Sequence, residues 1–307
     1  MSSSKNDPVS AWAAWDRFWF APRSTDRMAM IRGLLCLVAA AYFATCWADA
    51  AFWYGGGGPF SAERVATFLR TAGLEGAAAW IVSPLFLFKS AWLYHLYLAV
   101  SIGVAGLVAC GRGGRLAPWA LWLLLVGWAN RAMILAGLTE SLLSLGLFAS
   151  AIAPPGSLWA IRSKPPRSTS QWTAGFSQRL LATQVSVVLI ATAATMLAVR
   201  VWFNGLGAYA LAAPSPDRTI DWTNTILLHP LVHESLTHLM IVSLPIGLLM
   251  CWIERTNRLG KTILWLWCLI VALLGSLWLY AATMAVMVMA IDPIQKMNQQ
   301  VDRASAK

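Results

Sequence analysis

The chain has 307 residues, 58% hydrophobic and only 12% charged, with a mean hydropathy of +0.61. Soluble domains carry about 25% charged residues, so this composition excludes a water-soluble globule and leaves no stretch for a separate soluble domain. The net charge of +10 comes from 23 Lys and Arg set mostly at the ends of apolar runs. That is the pattern of orientation signals and lipid headgroup contacts, not of a nucleic-acid-binding face.

Residues 1–26 form a polar to amphipathic lead. They contain no short apolar core followed by a small-residue cleavage site, so an uncleaved first span is expected. Within them Trp12, Trp15, Phe18 and Trp19 fall on one helical face, which predicts a helix over 11–20 lying in the headgroup layer. A transmembrane domain over 27–291 follows, and a polar tail over 292–307.

The first span is predicted over 27–49. Phe52–Phe60, FWYGGGGPF, reads as a flexible turn, because no strand precedes the glycines and no P-loop lysine follows. Ser61 is placed to cap a short helix over 62–73, with Glu63 in its first turn. The run 76–88 is too short to span and is interrupted by Pro84, so it reads as re-entrant or interfacial.

The second span is predicted over 90–110, ending in the basic turn Gly111–Arg115. The third covers 118–136 and carries Arg131 near its end, and the fourth covers 138–153, stopping at Pro154-Pro155-Gly156. A polar linker over 157–173 leads to the fifth, which starts near Gln178. The sixth covers 229–252.

The last run, 262–291, would make a helix of about 45 Å, longer than a hydrocarbon core of about 30 Å. It must tilt, protrude, or break near Gly275-Ser276. The fold class is therefore an all-α, polytopic membrane bundle of about seven spans, within a range of about six to eight. The distribution of basic residues puts the N-terminus in the cytoplasm, in a plasma or bacterial inner membrane.

The five cysteines show no CxxC spacing and lie in or beside apolar runs, so neither a zinc motif nor a structural disulfide is expected. Three of the four histidines fall close together, with Glu234 among them. His229 and His233 are spaced i,i+4 and share a helix face able to ligate one metal. His238 lies about 140° round the helix from His233, and Glu234 is one residue out of register for HExxH. The cluster reads either as a helix start with satisfied histidines or as a proton or metal site. No metal is assigned.

Arg131 and Glu140 suggest either an ion pair or a site for an anionic headgroup. On the fifth span, Gln178, Arg179, Gln184, Arg200 and Asn204 are polar. Gln184 is best placed to face the interior, and Arg200 to snorkel. No nucleophile elbow, carboxylate pair, Walker motif or dinucleotide fingerprint is present.

Several of these stretches resemble, in order, the HTTM family, the membrane domain shared with vitamin K-dependent gamma-carboxylase. They are Trp15–Pro22 with Met30-Ile31-Arg32-Gly33; the glycine-rich 52–61; Asn130-Arg131; Gly137-Leu138-Thr139-Glu140; Pro154–Trp159; Arg179-Leu180-Leu181 with Gln184; and Trp202-Phe203-Asn204-Gly205. Together they cover about residues 12–290.

The resemblance implies a membrane-embedded pocket for a lipid or quinone-like molecule. It also implies a catalytic lysine ahead of the Trp-x-x-Gly motif. Here that position holds Met196, or Thr195 one residue earlier, and neither side chain can act as a base near neutral pH. The family's later histidine corresponds to Trp267 or Cys268, and Trp159 stands where an Asp is usual.

The expected function is thus a non-carboxylating binding or scaffolding protein for a lipid or quinone-like ligand, with Arg131, Glu140, Gln184 and Met196 as pocket candidates. The alternative is a membrane enzyme acting on a lipophilic substrate through His229, His233, Glu234 and Arg131. A small transporter is a third reading, for which no internal repeat speaks. The lipid bilayer is the one partner the sequence names. No cofactor or protein partner is assigned.

Overall fold

The structure, a computed structural model, describes residues 11–55, 57–73, 83–88, 90–131, 137–156, 170–213, 222 and 226–293. In chain order it contains α1 (Ala11–Phe20), β1 (Arg23–Ser24), α2 (Thr25–Thr45), α3 (Ala50–Tyr54), α4 (Ala62–Thr71) and a 3-10 turn Pro84–Leu87. Then come α5 (Ala91–Ala109), α6 (Leu116–Arg131), α7 (Leu138–Ile152), β2 (Ser170–Gln171), α8 (Trp172–Ala198), α9 (Arg200–Phe203) and α10 (Gly207–Ala212). A 3-10 turn Ile226–Leu228 precedes α11 (Pro230–Trp252), α12 (Asn257–Gly275) and α13 (Trp278–Val288).

Five of these helices, α2, α5, α8, α11 and α12, are long and apolar enough to cross a membrane, and α7 and α13 are shorter apolar helices. Their outward faces are apolar too: Leu96, Val100, Val187, Ile190, Leu239, Val242, Leu266 and Leu269 are all exposed. A helix apolar on every side is buried in protein or in lipid, so the chain is a multi-pass membrane bundle.

The long helices run antiparallel to their sequence neighbours. Tyr97 donates to the Leu124 carbonyl at 2.6 Å, Trp122 to Ser144 at 3.1 Å, and Trp265 to the Ala285 carbonyl at 3.0 Å. At one end of the bundle lie the starts of α2, α8 and α12 and the exits of α7, α11 and α13. This is the basic end. At the far end lie α3, α4, α9 and α10.

Arg32, almost fully buried, donates to the Ser150 carbonyl at 3.1 and 2.7 Å and to the Ala153 carbonyl at 2.6 Å. It thereby satisfies the open carbonyls at the C-terminus of α7, where a cation also suits the helix dipole. The helices α11 and α12 cross closely. A Cβ on Gly260 would come within 2.6 Å of the Cys251 nitrogen and of the Gly247 carbonyl oxygen. Close backbone approach through small residues is how membrane helices gain packing when the solvent is itself apolar.

Three expectations from the sequence are sharpened or changed. The run 262–291 breaks at Gly275-Ser276, one of the outcomes its length left open, and forms a helical hairpin: α12 ends at Gly275, Ser276 takes φ 54°, and α13 returns antiparallel. The chain therefore comes back to the basic end at Ile291–Asp292 instead of leaving at the far end. The fifth span begins at Trp172, inside what the sequence read as linker, and Ser170–Gln171 pairs with Arg23–Ser24 in a two-residue antiparallel ladder. Tyr54 and its neighbours form α3 rather than part of a loose turn. The rest of the linker, 157–169, and most of 76–88 lie outside the described residues.

The surface helix is present as α1. It exposes Trp12 and Trp15 and stacks Phe20 on Phe176 of α8, with centroids 5.7 Å apart. Ser61 precedes α4, but its side chain makes no capping bond.

Candidate functional site

At the far end, the exit of α2, the helix α3, the end of α6 and the start of α7 enclose a cavity of about 210 Å³. Its wall includes Tyr42, Cys46, Asp49, Trp53, Tyr54, Trp128 and Glu140. Tyr42 donates to Glu140 Oε1 at 2.9 Å, and Glu140 Oε2 accepts from the Gly137 backbone N–H at 2.8 Å. The latter is one half of a capping box: it fixes the carboxylate at the first turn of α7, where negative charge suits the dipole. Trp128 packs against Tyr54 edge to face at 5.0 Å and against Tyr97 at 6.2 Å. Burial pushes the Tyr54 hydroxyl pKa up, with nearby Cys46 and Glu140 adding to it and Arg131 opposing, so Tyr54 is a neutral donor.

Arg131 lies beside this wall. It is only 1% exposed, and its guanidinium carbon sits 5.5 Å from the centroid of Tyr54 and 4.8 Å from that of Phe86. Among the described residues, none of its three guanidinium nitrogens has a hydrogen-bond partner. The ion pair with Glu140 that the sequence suggested does not form, because Glu140 is engaged by Tyr42 and Gly137 while Arg131 is held between aromatic faces. A buried, unpaired guanidinium is costly in a membrane. Two cation–π contacts, each about 0.5–2 kcal/mol, offset only part of that cost.

At the basic end a larger cavity, about 660 Å³, is lined by Arg23, Arg27, Glu254, Arg255, Asn257, Arg258, Lys261 and Asp292. Asp292 is its hub. It accepts from Arg23 Nη1 at 2.8 Å, from Arg27 Nη1, and from Gln178 Nε2 at 2.9 Å, with Lys261 Nζ 4.0 Å away. Burial alone would raise the Asp292 pKa, but Arg27 and Arg23 outweigh it and hold the carboxyl below its ordinary range. Burial lowers the pKa of Arg23, and Asp292 opposes that shift. One carboxylate thus joins the lead into α2 to α8, α12 and the exit of α13.

The remaining sequence candidates lie elsewhere. His233, 8% exposed, places Nδ1 3.0 Å from the Leu227 carbonyl oxygen and packs its ring 5.7 Å from that of Tyr209. His229, Glu234 and His238 are exposed. No group of three potential metal ligands occurs among the described residues.

Glu234 packs under the turn after α9, where Gly205 takes φ 81° and a Cβ would come within 2.8 Å of the Glu234 side chain. Thr237 fixes the same turn: its hydroxyl lies 2.8 Å from the Gly205 carbonyl oxygen and accepts from the Ala208 N–H at 2.9 Å. Met196 is buried in the core, and Gln184 is half-buried with no donor to its Oε1 among the described residues. Of the four pocket candidates, only Glu140 lines the far-end cavity; Arg131 lies behind it against Tyr54, while Gln184 and Met196 sit along α8.

No family model, curated protein or solved structure matches the chain.

Sequence reasoning missed Tyr42, Tyr54 and Trp128 as pocket walls and placed Asp292 in a tail. The aromatics had no signal to separate them from the many others at span ends. Asp292 had one: it is the first acid after the long apolar run that begins beyond Glu254.

Proposed function

We propose that this protein is a membrane-embedded binding protein for an amphiphilic molecule whose polar head carries an anionic or carbonyl oxygen, a lipid or quinone-like ligand. The head oxygen would sit at the Tyr54 side of the far-end cavity, toward Arg131, and its apolar part would extend along the aromatic wall. The observation that carries this reading is Arg131, buried, with no hydrogen-bond partner among the described residues, and packed on Tyr54 in the wall of that cavity. A ligand oxygen would supply the missing acceptor in a site of low dielectric, where a charge-assisted bond is strong.

The ordered motifs that resemble the HTTM family support the same reading from the sequence side, and the resemblance rests on those motifs alone. Arg131 and Glu140 belong to two of them. Carboxylase chemistry is not part of the proposal, because Met196 or Thr195 stands at the lysine position. The concentration of Arg and Lys at the basic end supports an orientation with that end, and so both ends of the bundle domain, in the cytoplasm of a plasma or bacterial inner membrane.

The test is mass spectrometry of the lipophilic species that co-purify with the detergent-extracted chain, for wild type and for Arg131→Met. A species with an acidic or quinone head, retained by wild type and depleted in the variant, supports the proposal. Equal retention by both proteins sinks it.

A further inference from the structure

We propose that the cavity at the basic end is a second binding site, which takes a phosphate-bearing anion. Its lining holds five cations, Arg23, Arg27, Arg255, Arg258 and Lys261, against two carboxylates, Glu254 and Asp292. Asp292 is already committed to Arg23 and Arg27. Arg255 and Arg258 are exposed at the rim and make no ion pair among the described residues. The site therefore has an anchored floor, in which Asp292 holds Arg23 in place, and a rim with unspent positive charge.

The start of α12 adds to it. Asn257, the first residue of that helix, lines the cavity. The preceding Thr256 gives no side-chain cap, its hydroxyl donating instead to the Met250 carbonyl at 3.0 Å, and the first turn of α12 has no acidic residue. Free backbone N–H groups at a helix start favour an anion, here beside two guanidinium groups.

Phosphate fits this arrangement better than a lone carboxylate does. It has more acceptor oxygens and more charge to share among several donors, and guanidinium groups match it as two-pronged forks. The volume, about 660 Å³, is that of a small-molecule pocket. The phosphate could arrive on a lipid headgroup or as a free ion.

Both sources are tested with the full chain in phosphatidylcholine nanodiscs. One arm measures equilibrium dialysis of radiolabelled inorganic phosphate. The other adds phosphatidic acid to the discs and counts retained lipid by native mass spectrometry. Arg255→Gln/Arg258→Gln is compared with Arg64→Gln/Arg200→Gln, which removes the same charge at the far end.

Wild type is expected to hold at least one probe about tenfold more tightly than Arg255→Gln/Arg258→Gln, with the far-end variant unchanged. Binding of phosphatidic acid without inorganic phosphate identifies a lipid headgroup. Binding of inorganic phosphate in discs without phosphatidic acid identifies a free phosphate. The proposal is overturned if both probes bind wild type and Arg255→Gln/Arg258→Gln equally, or if the far-end variant loses as much. Because both rim arginines are exposed and hold no described partner, their loss leaves the bundle folded, which circular dichroism checks directly.

Discussion

Replacing Asp292 by Asn keeps the shape and removes the charge that joins four parts of the bundle. The amide retains one acceptor oxygen, but its NH₂ group faces a cation. Arg23, 7% exposed, cannot regain water without moving the start of α2. Breaking a buried pair by removing one partner costs about 3–5 kcal/mol. Asp292 is 19% exposed and Arg27 33%, which places the loss near the lower bound, at about 3 kcal/mol. Lys261, at 4.0 Å, adds little. At roughly 2–4 °C per kcal/mol for large domains, the midpoint should fall by about 6–12 °C.

The assay is thermal unfolding in detergent, read by a thiol-reactive dye that reports exposure of buried Cys36, Cys251 and Cys268. Because Arg27 and Arg23 hold the Asp292 pKa below its usual value, its contribution is fully present above the unfolded carboxylate pKa of about 4. It is lost as pH falls through the lower folded value. The gap between wild type and variant should thus stay constant from neutral pH down to about 4 and close only below that. A midpoint change under about 1 °C, or a gap that closes already between neutral and mildly acidic pH, would refute the reasoning.

Arg131→Met should leave the ligand-free protein as stable as wild type or up to about 1–2 kcal/mol more stable, because it removes an unsatisfied buried charge; a loss of about 3 kcal/mol or more in delipidated protein would mean that Arg131 is already satisfied. Ser276→Gly should raise stability by roughly 0.5–1 kcal/mol, since a non-glycine residue at φ 54° is strained; an unchanged or lower thermal midpoint counts against a strained hinge. Gly260→Ala should lower stability by about 1–3 kcal/mol by forcing α12 off the α11 backbone, with thiol labelling of Cys251 as the local readout. Tyr42→Phe removes the hydroxyl that binds Glu140 and should cost about 1–2 kcal/mol, with the same loss in a Glu140→Gln background reduced by at least half in a double-mutant cycle.

Much of the architecture was legible in the chain. Apolar runs of bilayer length can be satisfied only as helices, because lipid offers no partner for backbone N–H and C=O groups. The helices α2, α5, α8 and α11 therefore follow directly from the sequence. The surface helix α1 follows from the spacing of Trp12, Trp15 and Trp19. The start of α8 did not, because polar Gln171 and Thr173 resemble linker, whereas pairing of Ser170–Gln171 with Arg23–Ser24 and packing of Phe176 on Phe20 extend the helix.

The sequence by itself determined the solvent of this protein and the kind of element it could use, since both depend on composition and run length. It also flagged Gly275-Ser276 as a weak point in an over-long run. Only the tertiary structure decided that the weak point is a reversal, which brings Asp292 back to Arg23 and Arg27. It likewise decided that Glu140 turns to Tyr42 and Gly137 and leaves Arg131 without a hydrogen-bond partner among the described residues. The reason is physical: a charge in sequence has a sign but no partner. Which opposite charge, aromatic face or backbone group it meets depends on distances between helices that no local pattern encodes.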